Sequence, residues 1–167
     1  METNANLIKI FEYALNQEKT GMSFFQTSLE RMGVGSAVSA FKRLIDEEQK
    51  HIDFISGIIA DLKSGNEIGA LEFETISSTN YFDERSRKEF MEQCVQGSMV
   101  PDVTIFNTAW LIEKDLSEFY AGMSEKTSGK AARALSMLSA WEKEHEKFFK
   151  EYRDKLSEVY SRMPWGG

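Results

Sequence analysis

Two stretches of the chain place a glutamate and a histidine three residues apart where a helix would otherwise carry apolar side chains. They are DEEQKHIDFI at residues 46–55 and AWEKEHEKFF at residues 140–149. Residues at that spacing project from nearly the same helical face. Glu48 with His51, and Glu142 with His145, can each present one carboxylate and one imidazole to the same interior point. Glu18 and Glu113 interrupt apolar stripes in the same manner. Four carboxylates left ionised and unpaired among aliphatic neighbours would be very costly. Two divalent cations balance that charge, and two neutral imidazoles complete the ligand set without adding any. Oxygen ligands with two imidazoles suit iron or manganese better than a thiolate-preferring ion, although zinc can also occupy such a set. The chain's two histidines are both spent on this pattern.

The elements that must position these residues follow from apolar periodicity. Leu7, Ile10, Phe11, Ala14, Leu15, Met22, Phe25 and Leu29 form one stripe, broken by Glu18. After a break at Gly33 to Gly35, Phe41, Leu44, Ile45, Ile52, Ile55, Ile59 and Leu62 form a second. Pro101 and Asp102 suit the start of a third helix, carrying Phe106, Ala109, Trp110, Leu116, Tyr120 and Met123 with Glu113 in the vacant slot. Following the turn at 127–130, a fourth stripe reads Ala131, Leu135, Leu138, Phe149, Tyr152, Leu156 and Val159. The pattern predicts an all-α chain with helices over about 4–31, 36–64, 102–126 and 130–160.

Residues 65–101 are too long for a structureless connection in a compact domain. They read as a crossover joining two antiparallel helical hairpins, with a short helix in DERSRKEFMEQC. The halves also repeat each other: from the single glutamate to the ExxH pair the gap is 30 residues in one half and 29 in the other. Phenylalanine follows each histidine by three, and Phe25 stands to Glu18 as Tyr120 stands to Glu113. A duplicated hairpin with pseudo-twofold symmetry accounts for this. One glutamate from each of two helices plus a Glu-x-x-His from each of the others is the inward-facing set of ferritin-like di-iron and di-manganese bundles.

Bulk properties bound the remaining possibilities. The 167 residues suit one domain, and the tail SRMPWGG is expected to close it. A net charge of −7 without any cluster of Lys and Arg argues against a nucleic-acid partner. No apolar run approaches the roughly 20 residues of a membrane helix, and the N-terminal residues lack a signal-peptide pattern, so a cytoplasmic protein with no membrane partner is expected. Cys94 is the single cysteine, which leaves no disulfide framework and no CxxC pair. Glu47, Glu144 and Glu146 fall off the stripes and are expected to face solvent, partnered by Lys143, Lys147 and Lys150. Trp110 and Trp141 are expected to serve packing. A Tyr120 phenol one helical repeat from Glu113 can reach a ligand carboxylate across the bundle.

With Glu18, Glu48xxHis51, Glu113 with Tyr120, and Glu142xxHis145 in place, the chain resembles the rubrerythrin-like branch of the ferritin-like superfamily over roughly residues 5–158. The phrase LIEKDLSEFY at 111–120 is especially similar. The resemblance implies a four-helix bundle around a bridged di-iron site. In it Glu48 and Glu142 would bridge the metals, with Glu18 and His51 terminal on one ion and Glu113 and His145 on the other. It further implies reduction of hydrogen peroxide, oxidation of Fe(II) by oxygen or peroxide, or iron handling, and a homodimer.

Two departures accompany the resemblance. Rubrerythrin carries a rubredoxin domain with paired CxxC motifs, which Cys94 alone cannot build, so electrons would come from a separate donor protein such as a rubredoxin. The extra glutamate that rubrerythrin has three residues after its third-helix ligand is replaced here by Leu116. Two other readings stand beside the oxidoreductase. One is a metal-binding protein without turnover, for iron storage, delivery or structural support. The other is a helical interaction module whose acids cluster by accident.

Overall fold

The apolar stripes fold as helices in the computed structural model, which describes residues 3–31, 36–69 and 100–162. Among the described residues the helices are α1 (Asn4–Arg31), α2 (Ser36–Lys63), α3 (Val100–Lys126) and α4 (Gly129–Ser161). Helix α3 begins at Val100, so Pro101 falls within its first turn, where a missing N–H costs nothing. The segment DERSRKEFMEQC with Cys94, the Gly33 to Gly35 break, the end of the SRMPWGG tail, and the side chains of Pro101, Asp102 and Val159 lie outside the described residues.

Helix ends are held by local hydrogen bonds. The Thr3 hydroxyl accepts from the Asn6 amide at 3.3 Å, capping α1. Helix α2 stops at Gly65, whose positive φ of 75° brings the Asn66 amide back onto the Asp61 carbonyl at 2.9 Å. A side chain at Gly65 would have to adopt a left-handed backbone that L residues resist.

Helix α1 packs along α2 and α3 packs along α4, giving the two hairpins, with lighter contact between α1 and α3. Ser117 and Ser139 clasp the second hairpin: each hydroxyl donates to the other residue's carbonyl, at 3.3 and 2.9 Å. Two apolar clusters fill the interior. One gathers Phe11, Ala14, Phe54, Ile55, Ile58, Leu116, Leu135 and Leu138. The other gathers Phe25, Phe41, Leu44, Phe106, Phe148, Phe149, Tyr152 and Leu156. Both α2 and α3 run from the second cluster toward the first, so they are parallel, while α1 and α4 run oppositely. This is the ferritin-like four-helix bundle. On every helix the glutamates and histidines fall between the two clusters, so a polar layer is set across the middle of an otherwise apolar core.

Candidate metal centre

Each helix brings its polar residue inward because the flanking turns are anchored by apolar side chains on the same face. Glu18 lies between Ala14 and Met22, Glu48 and His51 between Leu44 and Ile55, Glu113 between Ala109 and Leu116, and Glu142 and His145 between Leu138 and Phe149. All six are buried, with 0–2% of their surface exposed. Packing of the apolar neighbours therefore holds the polar groups in a site that water does not reach.

The ExxH pairs exchange partners across the bundle. His51 Nδ1 on α2 lies 2.7 Å from Glu142 Oε1 on α4, and His145 Nδ1 on α4 lies 3.0 Å from Glu48 Oε1 on α2. His51 Nδ1 is also 4.0 Å from Glu18, and His145 Nδ1 is 3.6 Å from Glu113. The side chains resolve into two overlapping groups: Glu18, Glu48, His51 and Glu142; and Glu48, Glu113, Glu142 and His145. Within each, one potential ligand atom per residue lies within 4.8 Å of all the others. Glu48 and Glu142 belong to both groups, so they occupy the shared middle.

The imidazole rings are oriented by stacking. His51 and His145 lie nearly parallel, centroids 5.6 Å apart at 19°. His51 also stacks on Trp141 at 5.3 Å and 18°, and Trp141 in turn meets Phe54 edge-on. Trp141 thus packs directly on a centre residue. The spacing of its own helix could not show this, because the contact depends on how α4 is set against α2.

Tyr120 donates its hydroxyl to Glu18 Oε1 at 2.5 Å. Phe25 holds the corresponding position in the other half and has no hydroxyl to offer Glu113. The consequence is visible: both oxygens of Glu113 lack a hydrogen-bond donor, as do Glu18 Oε2 and Glu142 Oε2. Buried carboxylate oxygens are ordinarily satisfied. Oxygens without donors, facing two imidazole nitrogens, are a donor set suited to cations.

Electrostatics point the same way. Burial, and then the negative charges of Glu142 and Glu48, push Glu18 and Glu113 well above the usual carboxylate range. Burial and Glu142 also act to raise Glu48, yet the His51 charge and hydrogen bonds from His145 and His51 outweigh them and lower it to about 2. Burial likewise acts to raise Glu142, but the His51 charge and hydrogen bonds from both histidines hold it well below its ordinary value. The histidines move oppositely. Burial disfavours their charge, but Glu142 and Glu48 raise His51 well above 6.5 and His145 to about 10. Burial, with Glu18 beside it, keeps Tyr120 protonated well above pH 10. Without metal, the two imidazoles favour their charged form beside Glu48 and Glu142, while Glu18 and Glu113 at the two ends favour their protonated form. With metal, two divalent cations would take the place of those protons.

A sequence profile of the rubrerythrin family matches residues 9–153. The chain belongs to the rubrerythrin family. The matched span contains Glu18, Glu113, Tyr120 and both ExxH pairs, and so the whole centre. No curated protein and no solved structure matches the chain.

Within this rubrerythrin-family bundle, one expectation about the centre's surroundings is corrected. Glu47 was expected at the solvent face but is buried, 8% exposed, and pairs at 3.8 Å with Lys50 on its own helix. Helix α2 meets α1 and, through Phe41, also Phe106 and Phe149 of the second hairpin, so its buried arc is wider than a single stripe and takes in Glu47, while Gln49 on the other side of Glu48 stays exposed. Glu144 is exposed and Glu146 half-buried. Leu116 is 5% exposed and belongs to the apolar cluster beneath the centre.

Proposed function

We propose that the protein is a di-iron oxidoreductase that reduces hydrogen peroxide or oxidises Fe(II). The observation carrying this reading is the convergence of four buried carboxylates and two imidazoles into two groups that share Glu48 and Glu142. Glu48 and Glu142 would bridge the ions, with Glu18 and His51 on one side and Glu113 and His145 on the other. Iron is favoured by the carboxylate-rich set, and manganese or zinc would also be accepted. Two ferrous ions held there would supply two electrons, one each, for reduction of a peroxide.

The chain's own residues prepare the site for that chemistry. The apolar clusters above and below exclude water, so charges within act at low effective dielectric. Tyr120 fixes Glu18 through its hydroxyl, and Trp141 fixes the ring of His51 by stacking. Glu113, with no donor on either oxygen, would be the least constrained of the four carboxylates toward a bound ion. Electrons would be supplied by a donor outside these residues, a rubredoxin-type carrier being the simplest, since one cysteine cannot form a four-thiolate centre within them.

Leu116 favours a second reading. An apolar side chain stands where the resemblance implies a further carboxylate, which suits an iron-handling or metal-stabilised bundle without peroxidase turnover. One experiment separates the two. Apoprotein loaded anaerobically with Fe(II) should take up about two irons per chain, oxidise with stoichiometric peroxide, and turn over repeatedly with a reduced rubredoxin. Uptake and a single oxidation without turnover would favour the second reading. Refusal of Fe(II) would defeat both.

A further inference from the structure

A cavity of about 550 Å³ opens between α1 and α3, on the seam where the two hairpins meet. Its polar wall carries Gln17, Thr20 and Asp115, and its floor is formed by Gly21, Ile112 and Leu116. Gly21 follows Glu18 by three residues and Leu116 follows Glu113 by three. Residues at that separation lie on one face about 4.5 Å apart along the helix axis. The floor therefore stands one turn from the two carboxylates that the centre draws from α1 and α3, including Glu113, both of whose oxygens lack donors. Gly21 has a specific spatial role here: a Cβ at this position would come within 3.3 Å of Ile112 Cγ2. Its missing side chain keeps open the space that Ile112 and Leu116 narrow.

We propose that the α1/α3 cleft is the approach by which a small neutral oxidant reaches the metal centre, with Leu116 and Gly21 setting the width of its inner end. The polar wall can hydrogen-bond a molecule of hydrogen-peroxide size, and Asp115 disfavours anions. Leu116, almost fully buried, obstructs a substrate carrying an aryl group. A leucine in place of a carboxylate thereby acquires a function of its own, selecting by size. This inference rests on the metal-centre reading above and adds to it the direction of access and the residues that limit it.

The test uses iron-loaded full-length protein as wild type, Leu116→Ala and Gly21→Ala, with iron content and melting temperature measured for each. Nitric oxide, a small neutral probe, is mixed with each ferrous protein and its association followed by absorbance. Oxidation by hydrogen peroxide and by cumene hydroperoxide is compared in parallel. Leu116→Ala should raise the cumene-to-hydrogen-peroxide rate ratio about tenfold, and Gly21→Ala should slow nitric oxide association about tenfold. Wild-type iron content and melting temperature in each variant separate these results from loss of fold. Unchanged nitric oxide rates and an unchanged ratio, at wild-type iron content, would overturn the access proposal and leave the centre standing. Wild-type protein that takes up no iron would overturn the metal centre and, with it, this proposal.

Discussion

Tyr120 and Glu18, 102 residues apart in the chain, meet across the bundle at 2.5 Å, whereas Glu113 has no such donor because its symmetry counterpart is Phe25. The duplicated hairpin is thus chemically unequal at one atom. Tyr120→Phe should destabilise the metal-free protein by about 1–3 kcal/mol, the cost of leaving a buried acceptor unsatisfied. It should also weaken metal binding at the Glu18 side by about 10–100-fold. Thermal melts and competitive metal titration measure the two effects. Phe25→Tyr should act in the opposite sense on Glu113, and a variant no more stable or tighter than wild type would show that the asymmetry is unimportant to binding.

Glu48 and Glu142 belong to both ligand groups, while Glu18 and Glu113 belong to one each. Removing a shared residue should therefore cost both ions, and removing an unshared one should cost mainly one. Glu48→Ala and Glu142→Ala are expected to reduce metal content to near zero, Glu18→Ala to about half. Glu144→Ala, next to His145 in the chain but exposed, should leave content unchanged and shift stability by no more than about 0.5 kcal/mol. Elemental analysis after loading and desalting decides. Equal content in all four variants would mean that the acids cluster without holding metal.

Most of this centre was legible because its residues violate the rule that places them. A glutamate at core phase once is ordinary, but Glu18, Glu48, Glu113 and Glu142 at matching phases, with His51 and His145 three residues on, leave few physical solutions. The helices were legible for the complementary reason, since Phe11, Ala14, Phe25, Phe41 and Leu44 obey the rule around those breaks. What a single helix cannot reveal is how it is set against its neighbours. The burial of Glu47, the stacking of Trp141 on His51, and the choice of Glu18 as Tyr120's partner all depend on interhelical register, which leaves no trace in the spacing along one strip of sequence.

The stack of Trp141 on His51 makes a spectroscopic prediction. A paramagnetic ion bound beside His51 Nδ1 would sit within one ring's width of an indole, close enough to quench it. Loading with Co(II) should quench tryptophan emission, and Trp141→Phe should abolish most of that quenching. Because the indole also holds the imidazole ring in place, Trp141→Ala should weaken metal binding by about 10-fold or more. Quenching that persists undiminished in Trp141→Phe would place the ion elsewhere.

The protonation pattern fixes how metal-free protein responds to pH. His145 is raised from 6.5 to about 10, and His51 is raised too, so their contribution to stability is complete below pH 6.5 and is lost as pH climbs toward 10. Glu18 and Glu113, raised above 4.5, act with the same sign, favouring the fold at lower pH. Glu48 is lowered to about 2, and Glu142 is lowered as well; their contribution is present above 4.5 and is lost as pH falls toward 2. Melting temperature without metal should therefore peak near pH 4.5, decline on both sides, and fall more steeply above about pH 6.5, where the histidines add to the loss. Metal binding reverses the alkaline slope, because the ions displace protons from the histidines and from Glu18 and Glu113. Loading in weak buffer should release protons, read with an indicator dye, and affinity should rise with pH. Binding that releases no protons would show that the ions sit outside the Glu/His layer.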